Sequence, residues 1–375
     1  MKRVWITEAR IVTASGGLDD TWQGLMEGRS AIKEITRFPT SVHDSTIGAC
    51  IEALAPRGRH SMIHGLLDRL FRRPLTLPPG TLILTASAKA GIDNLERLYR
   101  GEEVDTDDIL PSRLPFIVGR KLHSVEPGVN ISSACASSTI ALARAASMIR
   151  SGSARSVMVL CLDLLSEFVF SGFSALRILS PRPCKPFDRN RDGLSLGEGA
   201  ALLVLVDEDL AKERGLPCRG TITGWGVAND AVHIVTPAPD GRGLASAIVA
   251  ALGRAHLEPG QVGAVSAHGT GTIRNDRAEL AAFRSIFGDV MPAVYSVKGA
   301  IGHTLGAAGG IEVSIALCCL AEGLLPPTVG FGEGEEQTAA HVTRKPEPLS
   351  GTRILATNSG FGGVSCALIL EAGAA

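Results

Sequence analysis

Residues 130–152, NISSACASSTIALARAASMIRSG, carry a short β-branched run, a turn of small residues around Cys135, and an apolar series at Ile140, Ala141, Ala143, Ala146 and Ile149. That spacing predicts a tightly packed helix beginning at about Cys135 and ending near Gly152. A β-run follows, RSVMVLCLDL (155–164), and the rhythm returns: ALLVLVDE (201–208) and GAVSAHG (263–269) alternate with the helical stretches GRGLASAIVAALGRAHL (241–257), NDRAELAAFRSIFG (275–288) and LGAAGGIEVSIALCCLAEG (305–323). Short β-branched runs alternating with Ala- and Leu-rich helices argue for an α/β class. The halves share a pattern of β-run, Gly/Ser/His turn and small-residue helix, which permits an internal duplication. No Pro/Ser-rich linker divides them, so they are expected to pack intimately.

The bulk properties narrow the function classes. With 37 Lys+Arg against 38 Asp+Glu the 375-residue chain has a formal charge of -1, which gives no overall field to attract nucleic acid or an anionic membrane. A charged partner must therefore be met by a local patch. The candidate is Arg57, Arg59, Arg69, Arg72 and Arg73 in LAPRGRHSMIHGLLDRLFRRPLTLPPG (54–80), although charge runs are commonly only solvated faces. Eight scattered cysteines, with no CxxC and no Cys/His cluster at zinc-like spacing, suggest neither a disulfide framework nor a metal site. Reduced thiols fit a cytoplasmic protein best. The opening MKRVWITEARIVTASGG reads as a β-run broken by charges rather than a signal peptide, and no stretch approaches 18 uninterrupted apolar residues, so no membrane association is expected.

Four places could carry chemistry. Cys135 at a helix start meets free backbone N–H groups and the positive end of the helix dipole, both of which favour a thiolate. Packing is the ordinary fate of an isolated cysteine, however, because free Cys is among the most buried residue types. VSAHGTGT (265–272) ends an apolar run at His268 and turns through Gly and Thr, which suits a positioned donor or base, with Thr270 and Thr272 able to hydrogen-bond a ligand bearing amides. SVKGAIGHTLGAAGG (296–310) sets Lys298 five residues before His303, without the GxxxxGK[ST] or GxGxxG pattern of a nucleotide site. NSGFGG (358–363) sets Phe361 between glycines, where a backbone N–H could face a ligand. One Cys, two His, one Lys and an N–H donor are together the parts that acyl transfer requires.

The residues resemble the elongating β-ketoacyl-[acyl carrier protein] synthases, the ketosynthase II-like condensing enzymes of the thiolase superfamily. The resemblance rests on SSACASS, PFDRNRDGLSLGEGAALLVL (186–205), DAVHIVTPAPDGRG (230–243), AHGTGT, NDRAEL, VKGAIGHTLGAAGG and NSGFGGVSCALIL, in the family's order, and more loosely on the opening strand and helix. It implies a thiolase fold of two similar halves, 1–208 and 209–375, in a five-layer α-β-α-β-α arrangement. It also implies that Cys135 accepts an acyl group as a thioester from acyl carrier protein and that malonyl on the carrier then loses CO2 and attacks it. His268 and His303 would polarise the malonyl thioester carbonyl. Lys298 would order the network together with an acidic residue, matched to Glu279. The N–H groups of Cys135 and Phe361 would form the oxyanion hole, with the Phe361 ring a gate to the acyl pocket, and Thr270 and Thr272 would hold the phosphopantetheine arm. Leu114 in LPSRLPFIVGRK (110–121) falls at the chain-length-limiting position. No metal or redox cofactor is required.

The departures bear on substrate. The chain before residue 130 is shorter than is usual in the family, the usual MTGH is AIGH, and RILSPRPCKPFD (177–188) is shortened. A specialised route, such as polyene or another secondary lipid pathway, therefore stands beside housekeeping fatty acid synthesis. The resemblance implies a dimer, either a homodimer or a heterodimer with a ketosynthase-like subunit that sets chain length. Cys135 argues against this chain being the non-catalytic subunit. A degradative thiolase would use a second cysteine near the C-terminus, and Cys366 in an apolar strand is better explained by packing.

Overall fold

The structure, a computed structural model, describes residues 2–122, 128–335 and 340–373. The first five strands considered are β1 (Val4–Val12), β2 (Leu82–Ala86), β3 (Val129–Ile131), β4 (Ser156–Asp163) and β5 (Gly199–Asp207). They are joined in the order β3-β2-β4-β5-β1. Five more, β6 (Gly220–Asn229), β7 (Ala264–Ser266), β8 (Ala293–Tyr295), β9 (Arg353–Gly360) and β10 (Val364–Ala372), run in the order β8-β7-β9-β10-β6. The two orders are the same when each strand is matched to the one five places later. Pairing directions match too: β3/β2 and β2/β4 are parallel while β4/β5 and β5/β1 are antiparallel, and β8/β7, β7/β9, β9/β10 and β10/β6 repeat that series. The shared rhythm of the sequence is thus a repeated topology. Val4–Ile6 of β1 pairs antiparallel with Gly220–Ile222 of β6, joining the sheets edge to edge at one corner.

Two helices fill the space between the sheets. They are α3 (Ser137–Arg150), which follows β3, and α7 (Ala308–Glu322), which follows β8. Each packs against strands of both sheets and against the other. The cluster they create joins Ala141, Ala145 and Ile149 of α3 and Ile311 and Ile315 of α7 to Val157, Leu203, Ala356 and Leu368 from the strands. Outside the first sheet lie α1 (Ile63–Leu70) and α2 (Leu114–Lys121); outside the second lie α5 (Arg242–Ala255) and α6 (Ile273–Phe287). The arrangement is α-β-α-β-α, as the resemblance implies. A further short helix, α4 (Glu167–Ala175), sits beside the site described below.

Strand β4 is buried at every position and β5 likewise, which explains why both read as continuous apolar runs rather than alternating ones. Among the described residues one helical stretch, Leu305–Glu322, is long and apolar enough to cross a membrane; 78% of it is buried, and its apolarity comes from facing two sheets at once. Leu114, expected at a chain-length-limiting position, is fully buried in the outer apolar cluster with Leu66, Met158 and Leu160. It does not line the cavity at Cys135, because α2 packs on the opposite face of the first sheet from α3.

The central layer depends on small residues where its helices cross. A Cβ added at Gly309 would stand 1.9 Å from Thr139 Oγ1 of α3 and 2.6 Å from Asn358 Oδ1. Gly309→Ala is expected to lower stability by roughly 1–3 kcal/mol through overpacking, seen as a lower midpoint of denaturant unfolding with an unchanged slope.

Candidate active site

The turn before α3 places Cys135. Ala134 adopts a left-handed backbone at φ 47, which reverses the chain between β3 and the helix. The Ser137 hydroxyl fixes it, accepting from the Ser133 N–H at 2.8 Å and donating to the Ala134 carbonyl at 2.6 Å. Gly360 lies against this turn: a Cβ there would be 3.1 Å from the Ser133 carbonyl oxygen and 3.3 Å from the Ala136 nitrogen. The close approach brings Phe361 beside Cys135, and the Phe361 ring stacks on Phe173 of α4 with centroids 5.6 Å apart.

His268 arrives from the end of β7 and His303 from the loop before α7. Their rings meet edge to face, with centroids 5.1 Å apart, and one donor atom from each lies within 4.8 Å of the other and of the Cys135 sulfur. Both imidazoles and the thiol line a cavity of about 240 Å³ together with Thr270, Thr272, Phe173 and Phe361. Arg177 and Arg274 also line it, adding two cations to its wall. Thr270 and Thr272 hydrogen-bond each other through their hydroxyls at 2.9 Å, and the buried Asp276 carboxylate holds their loop by accepting from the Thr270 and Gly271 N–H groups.

Behind His268 lies a closed polar network. Lys298 Nζ contacts His268 Nδ1 at 3.3 Å and forms an ion pair with Glu312, while Asn358 Nδ2 donates to His268 Nδ1 at 3.1 Å and to Glu312 Oε2 at 2.7 Å. The Thr139 hydroxyl donates to Asn358 Oδ1, which fixes the amide's orientation. Two donors converge on Nδ1, so that atom accepts and the proton of the neutral ring resides on Nε2. His303 Nδ1, by contrast, is buried with no hydrogen-bond partner among the described residues.

The carboxylate that neutralises Lys298 is Glu312, not Glu279 as the resemblance implied. Glu279 accepts from the N–H groups of His268 at 2.8 Å and Gly269 at 2.6 Å, so it fixes the backbone of the histidine loop. Burial and the neighbouring Asp276 push its carboxyl up to about 8. Glu312 was legible only as the one charged residue between Leu305 and Ala321; Asn358, at the head of NSGFGG, gave no separate signal. Asp163, at the end of β4, is a third residue that the motifs did not reveal. Its buried carboxylate accepts from Ser87 Oγ and from the N–H groups of Ala88, Lys89 and Gly306, tying the ends of two strands to the loop that follows His303.

The electrostatics run opposite to the expectation for a thiol at a helix start. Burial pushes Cys135 up to about 12, and Lys298, which pulls the other way, does not offset it. His268 and His303 are held well below the ordinary imidazole value, first by burial and then by the positive charge of Lys298. The resting site therefore holds a neutral thiol and two neutral imidazoles, able to donate hydrogen bonds without carrying charge.

Models of the β-ketoacyl synthase N-terminal and C-terminal domains match residues 99–211 and 219–332. A putative β-ketoacyl synthase 1 of actinorhodin polyketide synthesis from Streptomyces coelicolor is 30% identical across 99% of this chain and 88% of its own length. The chain belongs to the β-ketoacyl synthase family. A 3-oxoacyl-[acyl-carrier-protein] synthase 2 from Synechocystis is also 30% identical, over 99% of this chain and 98% of the relative. Among solved structures, the ishigamide ketosynthase/chain length factor superposes with a TM-score of 0.89 at 27% identity, covering 99% of both chains. A β-ketoacyl synthase from Burkholderia phymatum gives 0.88 at 26%, covering 99% of this chain and 100% of the other. This ketosynthase is a condensing acyltransferase of fatty acid or polyketide synthesis.

The five arginines singled out in the sequence do not line the cavity. Arg57 pairs with Asp68 and Arg69 donates to the Glu52 carbonyl, whereas Arg59, Arg72 and Arg73 are exposed with no ion pair among the described residues. Arg69, Arg72 and Arg73 instead border a groove beside β1.

A thiol with so high a pKa reacts through a thiolate fraction that grows with pH. Alkylation of Cys135 by iodoacetamide is expected to quicken about tenfold per pH unit between pH 7 and 9 without a plateau; a plateau in that window, followed by mass spectrometry of the Cys135 peptide, would refute the burial argument.

Proposed function

We propose that this ketosynthase uses Cys135 as the nucleophile that takes an acyl group from acyl carrier protein, and then condenses it with malonyl carried on the same class of protein. The convergence of Cys135, His268 and His303 on one cavity carries the reading. In the first half-reaction the Cys135 sulfur attacks the acyl thioester, the phosphopantetheine thiol leaves, and the proton of Cys135 departs to an imidazole or to the leaving thiolate. His303 is suited to accept it because its Nδ1 is unpartnered, whereas Nδ1 of His268 already accepts from Lys298 and Asn358.

In the second half-reaction malonyl-carrier protein enters and its C–C bond to the carboxylate breaks, releasing CO2 and leaving the electron pair as an enolate. Neutral N–H donors from His268 and His303 stabilise the developing oxyanion in a dry cavity, where preorganised dipoles act strongly. The enolate carbon attacks the Cys135 thioester, the tetrahedral oxyanion is held by the Cys135 and Phe361 N–H groups, and collapse expels the Cys135 thiolate, which takes up one proton from solvent to restore the thiol, and yields β-ketoacyl-carrier protein. Thr270 and Thr272 hold the phosphopantetheine arm. The chemistry requires no metal or redox cofactor, since each step is an acyl transfer or a decarboxylation driven by hydrogen-bond donors.

The acidic carrier protein is met by Arg177 and Arg274 at the cavity and by the exposed Arg72 and Arg73 outside it, cationic groups that aid encounter with an anionic partner. The enzyme acts as a dimer: β3 is an edge strand, with Val129 61% exposed, which offers unpaired backbone to a second copy or to a related subunit. Two of the similar structures pair a ketosynthase with a chain length factor, which supports the heterodimeric form; the route served is a specialised polyketide or polyene one, in the cytoplasm.

Cys135→Ala is expected to abolish covalent acylation by a panel of acyl-carrier proteins while leaving the circular dichroism spectrum unchanged; a mutant still acylated as a thioester would show that another group is the nucleophile. With the unaltered enzyme, mass spectra of the products formed with malonyl-carrier protein read out starter preference and chain length. Charge reversal of Arg72 and Arg73 together is expected to weaken carrier-protein binding and to flatten its salt dependence, and binding that does not change removes these residues from the docking surface.

A further inference from the structure

A second convergence of ligating side chains lies outside the acyl-transfer cavity, in the segment where the sequence departs furthest from the family. His60 and His64, four residues apart at the start of α1, face Asp105 and Asp108 from a later turn. His64 Nε2 is 2.8 Å from Asp108 Oδ1, and His60 Nδ1 is 3.7 Å from Asp105 Oδ2 and 3.8 Å from Asp108 Oδ2. Donor atoms of His60, His64 and Asp108 all lie within 4.8 Å of one another. Asp108 is only 1% exposed, and neither carboxylate has a Lys or Arg ion-pair partner among the described residues. Two carboxylates without a paired Lys or Arg lie beside two imidazoles, Asp105 against His60 and Asp108 against both, a donor set that complements a divalent ion.

The two loops are held in place by groups that are not themselves donors. The Asp105 N–H donates to the Arg59 carbonyl at 2.7 Å, and Asn94, fully buried, bridges the same Arg59 carbonyl and that of Asp105 at 3.0 Å each. Arg97 reaches the carbonyls of Gly58 and His60, and the Ser61 N–H holds Asp108 Oδ2 at 2.8 Å, leaving Oδ1 toward His64. Such supporting hydrogen bonds are what orients the ligands of protein metal sites.

We propose that His60, His64, Asp105 and Asp108 bind one Zn²⁺ as a structural site that staples the start of α1 to the 105–108 turn. Imidazole nitrogen and carboxylate oxygen form a suitable donor set for zinc, and four protein ligands describe a closed site rather than a catalytic one. Zinc at about 2.0–2.2 Å from each atom requires the His64–Asp108 contact to open by roughly half an ångström, with the proton between them displaced. This set, His-x3-His and Asp-x2-Asp 41 residues apart, has none of the Cys/His spacing by which zinc motifs are legible in a sequence.

The test is calorimetric titration of the chelator-treated full-length protein with ZnCl2. Because Cys135, His268 and His303 could also hold an ion, it is run on both the unaltered protein and Cys135→Ala. The expected result is one zinc bound by Cys135→Ala and a zinc-dependent rise in its melting temperature. His60→Gln and Asp105→Asn, made separately at partly exposed side chains, should each weaken the affinity about tenfold or more. The proposal is overturned if Cys135→Ala takes up no zinc, or if whichever of the two variants folds binds zinc with unaltered affinity.

Discussion

The ion pair of Lys298 and Glu312, 1% and 3% exposed, is the interaction on which the arrangement of the cavity's polar groups depends. A charge removed from water costs several kcal/mol unless it is paired and hydrogen-bonded. Here Glu312 supplies the opposite charge and Asn358 its second hydrogen bond. The pair gives the two histidines a fixed positive charge to face, which together with burial keeps both rings neutral. Through Asn358 it also sets the tautomer of His268, so that Nε2 carries the proton. Glu312 belongs to α7, Lys298 to a single helical turn before it (Lys298–Ile301), His268 to the loop after β7 and Asn358 to β9, so one buried pair aligns parts of the second sheet and the central layer.

Cys135 follows a different balance. Its position after a left-handed Ala134 and before α3 would lower the pKa of an exposed thiol, but the cavity wall closes around it and desolvation wins. The consequence is a thiol that is protected at rest and dependent on a proton acceptor at the moment of attack. Burial and the proposed reactivity of Cys135 therefore do not exclude each other. The same low-polarity surroundings that raise its pKa strengthen the hydrogen bonds offered to an oxyanion.

Close packing in the central layer makes this possible. Gly309 lets α3 and α7 approach until Thr139 reaches Asn358, and Gly360 lets the β9–β10 turn lie on the Cys135 turn. Asp163 ties the loop after His303 back to β4 and to residues 87–89. Residues from both repeated halves are thereby held at one point, Cys135 from the first and both histidines from the second.

The sequence by itself determined the α/β class, the helices that follow β3 and β8, the pattern of a repeated unit, and the residue types gathered for acyl transfer, because periodicity and local turns are written in neighbouring residues. Cys135, His268, His303 and Lys298 were legible as motif residues. Only the tertiary structure decided that Glu312 rather than Glu279 neutralises Lys298, that Leu114 packs on the far face of a sheet, that Asn358 and Asp163 hold the site together, and that burial outweighs the helix start at Cys135. Each of these depends on which face of an element meets which neighbour and on how much water is excluded there, quantities that arise only when residues far apart in the chain are brought into contact.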